Sequence, residues 1–438
     1  MNTTFLRRTP KVATVVAALA LTTAGLAGCS SSGASEANGV TTLTFWSRAT
    51  TAEPVSAPLV EAFNATHKNI QVKLTSVPDA QYVSKFGATA RAGSAPDLVS
   101  FDDINAPVFA ASGLLTDLSS FVSDLPSAST LSPGQRALAT YRGKTYAAPY
   151  SGGASVMYYN KDLFSQAGLD PDSPPTDWAQ LSSDVKAISA LGGDVSGITL
   201  PGACPGCLEF TLLPLVWASG GNVLTAAGDN QTTTFAKSQP VADMLAMYQG
   251  FWQDGDIPKT DRTEDGTTWG QNFLKGQVGI HFGPIQLSTS AKSSGMDYGV
   301  APIPGQDGSY ATFAGGDVMG IPAASKHQQQ AETFITWMLQ SKQQAAIVDG
   351  GFTPGQLSTA DADFQQQHPD LAVAVKALKK GRAPQSLATS AVFNDANGPW
   401  LGAVDQVVFS GSAPETALSA ADATSNKLLS QANDQLGR

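Results

Sequence analysis

Apolar positions change their spacing several times along the chain, and each change predicts an element. Leu43-Thr44-Phe45-Trp46 is a short apolar run that predicts a buried strand, after which Val55, Leu59, Val60 and Phe63 recur at helical spacing. Ile70, Val72 and Leu74 alternate as in a strand and lead to Pro78; Asp79 then caps a helix through Val83 and Phe86 that ends at Gly93. Leu98-Val99-Ser100-Phe101 is the next strand. This β-α-β-α-β alternation predicts an α/β lobe with a mainly parallel sheet. Further on, Tyr146-Ala147-Ala148-Pro149-Tyr150 reads as an extended crossover and Val156-Met157-Tyr158-Tyr159 as a strand, with Asn160 opening a helix that stops at Gly168. Asp177 and Gln180 have capping-box spacing for a helix through Leu181 and Val185. Val241 to Trp252 is helical by spacing, Gln277-Val278-Gly279-Ile280 is a strand, and Pro414 to Leu429 is a helix.

Ligands of parallel α/β sheets bind beyond the carboxyl ends of the strands. That rule selects Trp46-Ser47-Arg48 after the first strand and Phe101-Asp102-Asp103 after the third, on one edge of the lobe.

The N-terminus adds an address. Arg7, Arg8 and Lys11 precede an apolar run from Val12 through Leu21, and small residues then lead to Leu26-Ala27-Gly28-Cys29. This is the layout of a secretory signal, and the run is shorter than the roughly 20 apolar residues a membrane span needs. Leu-Ala-Gly-Cys resembles the bacterial lipobox, which implies cleavage after residue 28 and lipidation of Cys29. Residues 29–41 are Ser/Gly/Ala-rich, a flexible tether spanning roughly 20 Å as a coil. The expected location is outside the cell, anchored by lipid to the outer face of the cytoplasmic membrane.

The remaining chain, about 400 residues, exceeds the size at which single cores stop growing, so two lobes are expected. Removing the three basic residues of the signal takes the formal charge from −10 to −13, and charged residues make up only 14% of the chain. Nucleic acid and anionic membrane are poor partners for such a surface. With Cys29 lipidated, Cys204 and Cys207 form an even pair in an oxidising compartment. A small structural disulfide, redox chemistry and free thiols all fit Cys204-Pro205-Gly206-Cys207, but its Gly/Pro-rich setting lacks a clear helix start and favours the disulfide. The four histidines are scattered without metal spacing, so neither a metal nor a cofactor is expected.

Several segments together resemble the extracellular solute-binding proteins that serve carbohydrate importers, including the maltose-binding proteins. They are the lipobox, Leu43-Thr44-Phe45-Trp46, Ala95-Pro96-Asp97-Leu98, Pro149-Tyr150 and Tyr158-Tyr159-Asn160-Lys161-Asp162-Leu163. Trp217-Ala218-Ser219-Gly220-Gly221, Gly276 to Ile280 with Gly283-Pro284, and Gly315-Gly316 complete the series. The resemblance implies a two-lobed, periplasmic-binding-protein-like α/β fold of type II, with hinge crossovers and a ligand cleft between the lobes. By analogy residues 42–148 with 296–348 form the N-lobe, and 149–295 with 349–438 the C-lobe. It further implies a monomeric binding protein, without catalytic residues, that hands its ligand to a membrane permease driven by a cytoplasmic ATPase.

A pyranose offers flat C–H faces and a rim of hydroxyls, which aromatic rings and polar groups respectively satisfy. Asp102 and Asp103 are the first hydroxyl acceptors to consider, and Arg48 could donate a fork to vicinal hydroxyls. Trp46, Tyr150 and Trp217 are candidate aromatic contacts, and the backbone of Gly315-Gly316-Asp317 matches a family loop that faces sugar. Trp400, after Gly398-Pro399, matches a sugar-stacking tryptophan of the maltose-binding proteins. Two departures count against maltodextrin: Ile285 and Phe101 stand where maltose binders carry tryptophan.

Other readings fit less well. Adjacent carboxylates on an extended segment point apart, whereas a glycosidase needs a facing pair. There is no Gly-x-Ser-x-Gly elbow, and Leu138 stands where a P-loop ending at Gly143-Lys144-Thr145 would need its first glycine. A binder of a non-sugar solute (polyol, amino acid, peptide or polyamine) is a closer rival; for amino acids, peptides or polyamines clusters of charge would be expected in the cleft, whereas the candidates mix aromatics with small polar groups.

Overall fold

The computed structural model describes residues 39–226 and 230–436. The signal and Cys29 lie outside the described residues.

The first three strands form as their apolar spacing requires. β1 (Thr41–Arg48) lies between β2 (Ile70–Val77) and β3 (Leu98–Asp102), parallel to both, with Phe45 opposite Leu74 and Leu98. Helix α1 (Ala57–Thr66) connects β1 to β2 and buries Leu59, Val60 and Phe63; α2 (Asp79–Arg91) connects β2 to β3. β3 is buried on both faces up to Phe101, which explains its unbroken apolar run.

Two long strands then carry the chain across the molecule. β4 (Ala148–Asn160) is buried along its whole length, and it pairs antiparallel with β8 (Tyr310–Gly320) from Ala148↔Met319 to Ala154↔Ala314. The extended crossover and the following strand read from the sequence are thus one element. Its first part reaches the three-stranded unit through β8, where Val318 faces Phe101 and Asp317 faces Asp102. Its second part pairs with β6 (Val278–Pro284), Val156 opposite Gly283, and β6 in turn pairs with β5 (Ser196–Ile198). β7 (Tyr298–Ala301) also joins this second part, with Tyr158 opposite Val300. Past residue 296 the chain thus pairs first with the second part of β4 through β7, and then with its first part through β8.

Glycine is required where β4 and β8 cross. Gly316 has φ 146°, and a Cβ there would collide with the Ser151 carbonyl. The ladder shifts register beside it, between Asp317 and Val318. Cores lie on either side of this crossing. Leu43, Phe45, Phe63, Phe334 and Met338 pack with Met319 on one side. Met157, Phe164, Leu212, Trp400 and Val407 pack with Phe313 on the other.

Cys204 departs from the sequence expectation. It is not in an open loop: it caps helix α3 (Pro205–Ala218), its Sγ accepting from the Cys207 N–H at 3.2 Å. The helix is apolar all round, so it carries no period by which its start could be read.

Candidate functional site

A cleft of about 700 Å³ lies over the crossing of β4 and β8, with walls from both sides. On one wall the carboxyl ends of β1 and β3 present Arg48 and Asp102, the first turn of α2 presents Asp79, and β8 contributes Asp317. Arg48 grips Asp317 with two bonds, Nε to Oδ1 at 2.8 Å and Nη2 to Oδ2 at 3.0 Å. Its Nη1 lies 3.2 Å from both Asp79 Oδ2 and Asp102 Oδ2. Burial opposes the charge on Arg48, but Asp317 and then Asp102 outweigh it and hold the guanidinium protonated. The fork expected to meet sugar hydroxyls is therefore spent on carboxylates. Arg48 acts by fixing the orientation of those acceptors.

The opposite wall is aromatic. Phe210 from α3 stacks on Phe313 from β8, ring centroids 4.5 Å apart, and Trp269 stands edge-on to Phe210 at 6.4 Å. Gly315 makes room for this wall, since a Cβ there would sit 3.1 Å from the Phe313 ring. Cys204 and Cys207 line the cleft beside it and are joined as a disulfide. Glu209 follows on the same helix, only 2% exposed, and its Oε1 has no partner among the described residues. Burial, then the charge of Asp102, pushes the Glu209 carboxyl well above its usual range.

Of the residues expected from sequence, the cleft brings together Arg48, Asp102, Gly315, Gly316 and Asp317, with both cysteines. Asp102 also caps the turn Asp103–Asn105, accepting from the Ile104 N–H at 3.3 Å. The others lie elsewhere. Asp103 is fully buried behind Asp102, and burial with that neighbour's charge raises its carboxyl well above the usual range. Tyr150 is a core residue whose hydroxyl bonds Ser100 at 2.8 Å. Trp46 packs against the core of the first three strands, with the Lys85 ammonium 4.8 Å from its ring. Trp217 borders a separate groove with Gly220, Tyr310 and Lys380. The expectation for Trp400 is corrected outright. It is 0% exposed, enclosed by Phe235 and Phe393 at 5.3 and 6.1 Å, and has no face to offer a ligand.

Sequence reasoning missed Asp79, Glu209, Phe210, Trp269 and Phe313. Glu209 carried a signal, being the lone acid in the apolar run Cys207 to Ala218. Trp269 stood out too, a large aromatic between threonines and glycine. Phe210 and Phe313 look like any core phenylalanine until the chain is folded. Among the described residues no group of three or more His, Cys, Asp or Glu is arranged to hold a metal ion.

Known proteins share this architecture. The sugar-binding protein MalE of Xanthomonas citri superposes with a TM-score of 0.80 at 21% identity, covering 91% of this chain and all of that one. Among curated relatives, a protein of Brucella abortus described as a binding protein is 28% identical over 339 residues, which is 75% of this chain and 79% of its own. The diacetylchitobiose binding protein DasA of Streptomyces coelicolor is 27% identical over 258 residues, 58% of each chain. The family model for bacterial extracellular solute-binding protein matches residues 58–373. With that match spanning most of its length, the chain belongs to the bacterial extracellular solute-binding proteins.

Proposed function

We propose that this protein captures a sugar in the cleft and delivers it to an ATP-driven importer in the membrane. The observation that carries the reading is the pairing of an aromatic wall, Phe210, Phe313 and Trp269, with a set of carboxylates held in place by Arg48. Ring faces cover the C–H faces of a pyranose, and the carboxylates of Asp79 and Asp102 accept from its hydroxyls. Leaving such an acceptor unpaired costs about 1–3 kcal/mol, enough to discriminate between epimers. The sugar-binding names among its relatives, diacetylchitobiose for DasA and maltotriose for a protein of Pyrococcus abyssi, support the same ligand class. We read the cleft as a binding site without chemistry of its own.

In this reading Cys29 is lipidated and the 29–41 segment tethers the protein outside the cell, within reach of its permease. The first lobe runs from residue 42 to the crossing and takes up the chain again within Tyr310–Gly320; the second lobe holds most of the rest. A thermal-shift screen of mono- and disaccharides tests the ligand class, since ligand at 100 times its Kd stabilises a protein by about 2.7 kcal/mol. No shift with any sugar, in a protein that melts cooperatively, would refute it. Cys29→Ala should release the exported protein from the membrane fraction; retention there would refute the anchor.

A further inference from the structure

Five ionisable side chains line the cleft: Arg48, Asp79, Asp102, Glu209 and Asp317. Arg48 is the sole cation among these described residues, and it is already bonded to Asp317 and Asp79 and paired with Asp102. Three carboxylates thus share one positive charge before Glu209 is considered. Glu209 is buried to 2% exposure in an apolar helix, lines the cleft, and leaves its Oε1 without a partner among the described residues. A buried carboxyl in that state is costly unless a ligand completes it.

The three kinds of ligand group differ in what they do there. A hydroxyl would satisfy Oε1 but leave the excess of negative charge as it is. A carboxylate or phosphate would add to that excess. An ammonium satisfies Oε1, offsets the charge, and is also attracted by the faces of aromatic rings such as Phe210 and Trp269. We infer that the ligand is an amine-bearing sugar whose protonated amino group seats between Glu209 on one wall and Asp102 on the other. The inference rests on the sugar reading above and narrows it to a cationic class.

Docking of an ammonium also moves a proton. Asp102 is the charged neighbour that bears on Glu209, with Arg48, Asp79 and Asp317 clustered behind it; the bridged cysteines do not titrate. Burial and Asp102 favour the protonated carboxyl, so a docking ammonium converts it to carboxylate and sends that proton to solvent.

Matched sets of sugars test the proposal by titration calorimetry: glucose, glucosamine and glucuronate, the galactose series, and cellobiose with chitobiose as its diamino counterpart. Putrescine is run alongside. The amino member of at least one set should bind tenfold or more tighter than its neutral partner, and the uronate weakest. Its proton release should appear as heat that varies with the buffer's ionisation enthalpy. Glu209→Gln should weaken the amino sugar roughly 30-fold or more, as expected for breaking a buried charge pair, while changing the neutral partner far less. Asp102→Asn serves as the second variant if Glu209→Gln does not fold. Sugar binding in which no amino member exceeds its neutral partner would overturn the cationic class and leave the sugar reading standing. Putrescine binding tighter than every sugar, or no binding by any member of any set, would overturn both.

Discussion

Two aromatic residues set the sharpest test at the scale of single side chains. Phe210 is half-buried on the cleft wall, whereas Trp400 is enclosed in the second core. Phe210→Ala should cost about 1–3 kcal/mol of ligand binding, or about tenfold to over a hundredfold in affinity, with little change in melting. Trp400→Ala should instead cost about 3–5 kcal/mol of stability and leave the affinity of the folded protein near normal. Calorimetric titration with melting curves on both variants separates the roles, and the reverse pattern would exchange them. Arg48 shows why residue type alone misleads. Its charge and position were legible in the sequence, but only the approach of β8 reveals that Asp317 takes its fork.

His281 gives the pH dependence at the same scale. It is fully buried, with Nδ1 2.8 Å from Thr199 Oγ1, and burial lowers its pKa from 6.5 to about 3. Between those values the unfolded chain binds a proton that the folded chain refuses, so the contribution of His281 to stability falls as pH drops below about 6.5. The slope for one such group is about 1.4 kcal/mol per pH unit. Asp261 opposes it, because burial raises that carboxyl to about 7 and acid favours its folded form. Chemical denaturation at pH 7 and pH 5 should therefore show that acid favours the fold less in Asp261→Asn than in the native protein. An equal change in both would mean that Asp261 is not held protonated in the fold.

Among elements, α3 matters most to the site. Its first turn holds the Cys204–Cys207 bridge, and the next residues place Glu209 and Phe210 in the cleft. A bridge closing so short a loop contributes about 2 kcal/mol in the chain-entropy model. Replacing both cysteines with serine should lower stability by about that amount, and the hydroxyl introduced by Cys204→Ser can still cap the helix. Because the same turn orients the wall, ligand affinity should fall as well. Unchanged affinity in a destabilised double variant would confine the bridge to a structural role. The first three strands and their helices were readable because each buries one face or a continuous run, which leaves a period in the sequence. α3 was not readable, since a helix buried all round leaves none.

Across the whole molecule, the walls of the cleft come from opposite sides of a crossing built on β4 and β8. Closure of the two sides as hinged bodies would bring aromatic rings and carboxylates onto one ligand together, and it is the expected motion on binding. Small-angle scattering at saturating ligand should show a smaller radius of gyration than without it. An unchanged radius on an open starting form would exclude closure.

The sequence by itself determined the α/β class and the parallel strand–helix unit at the start. It also marked one charged edge of the cleft, because strand ends and loop residues announce themselves by period and by residue type. Only the tertiary structure decided which aromatics line the cleft. Phe210, Phe313, Trp217 and Trp400 all lie in apolar surroundings along the chain, and their local sequences do not distinguish cleft from core. What separates them is whether another element covers the ring. Phe235 and Phe393 enclose Trp400, while the glycine at 315 leaves room beside Phe210 and Phe313. That covering is a contact between residues far apart in the chain, and such contacts exist only once the chain has folded.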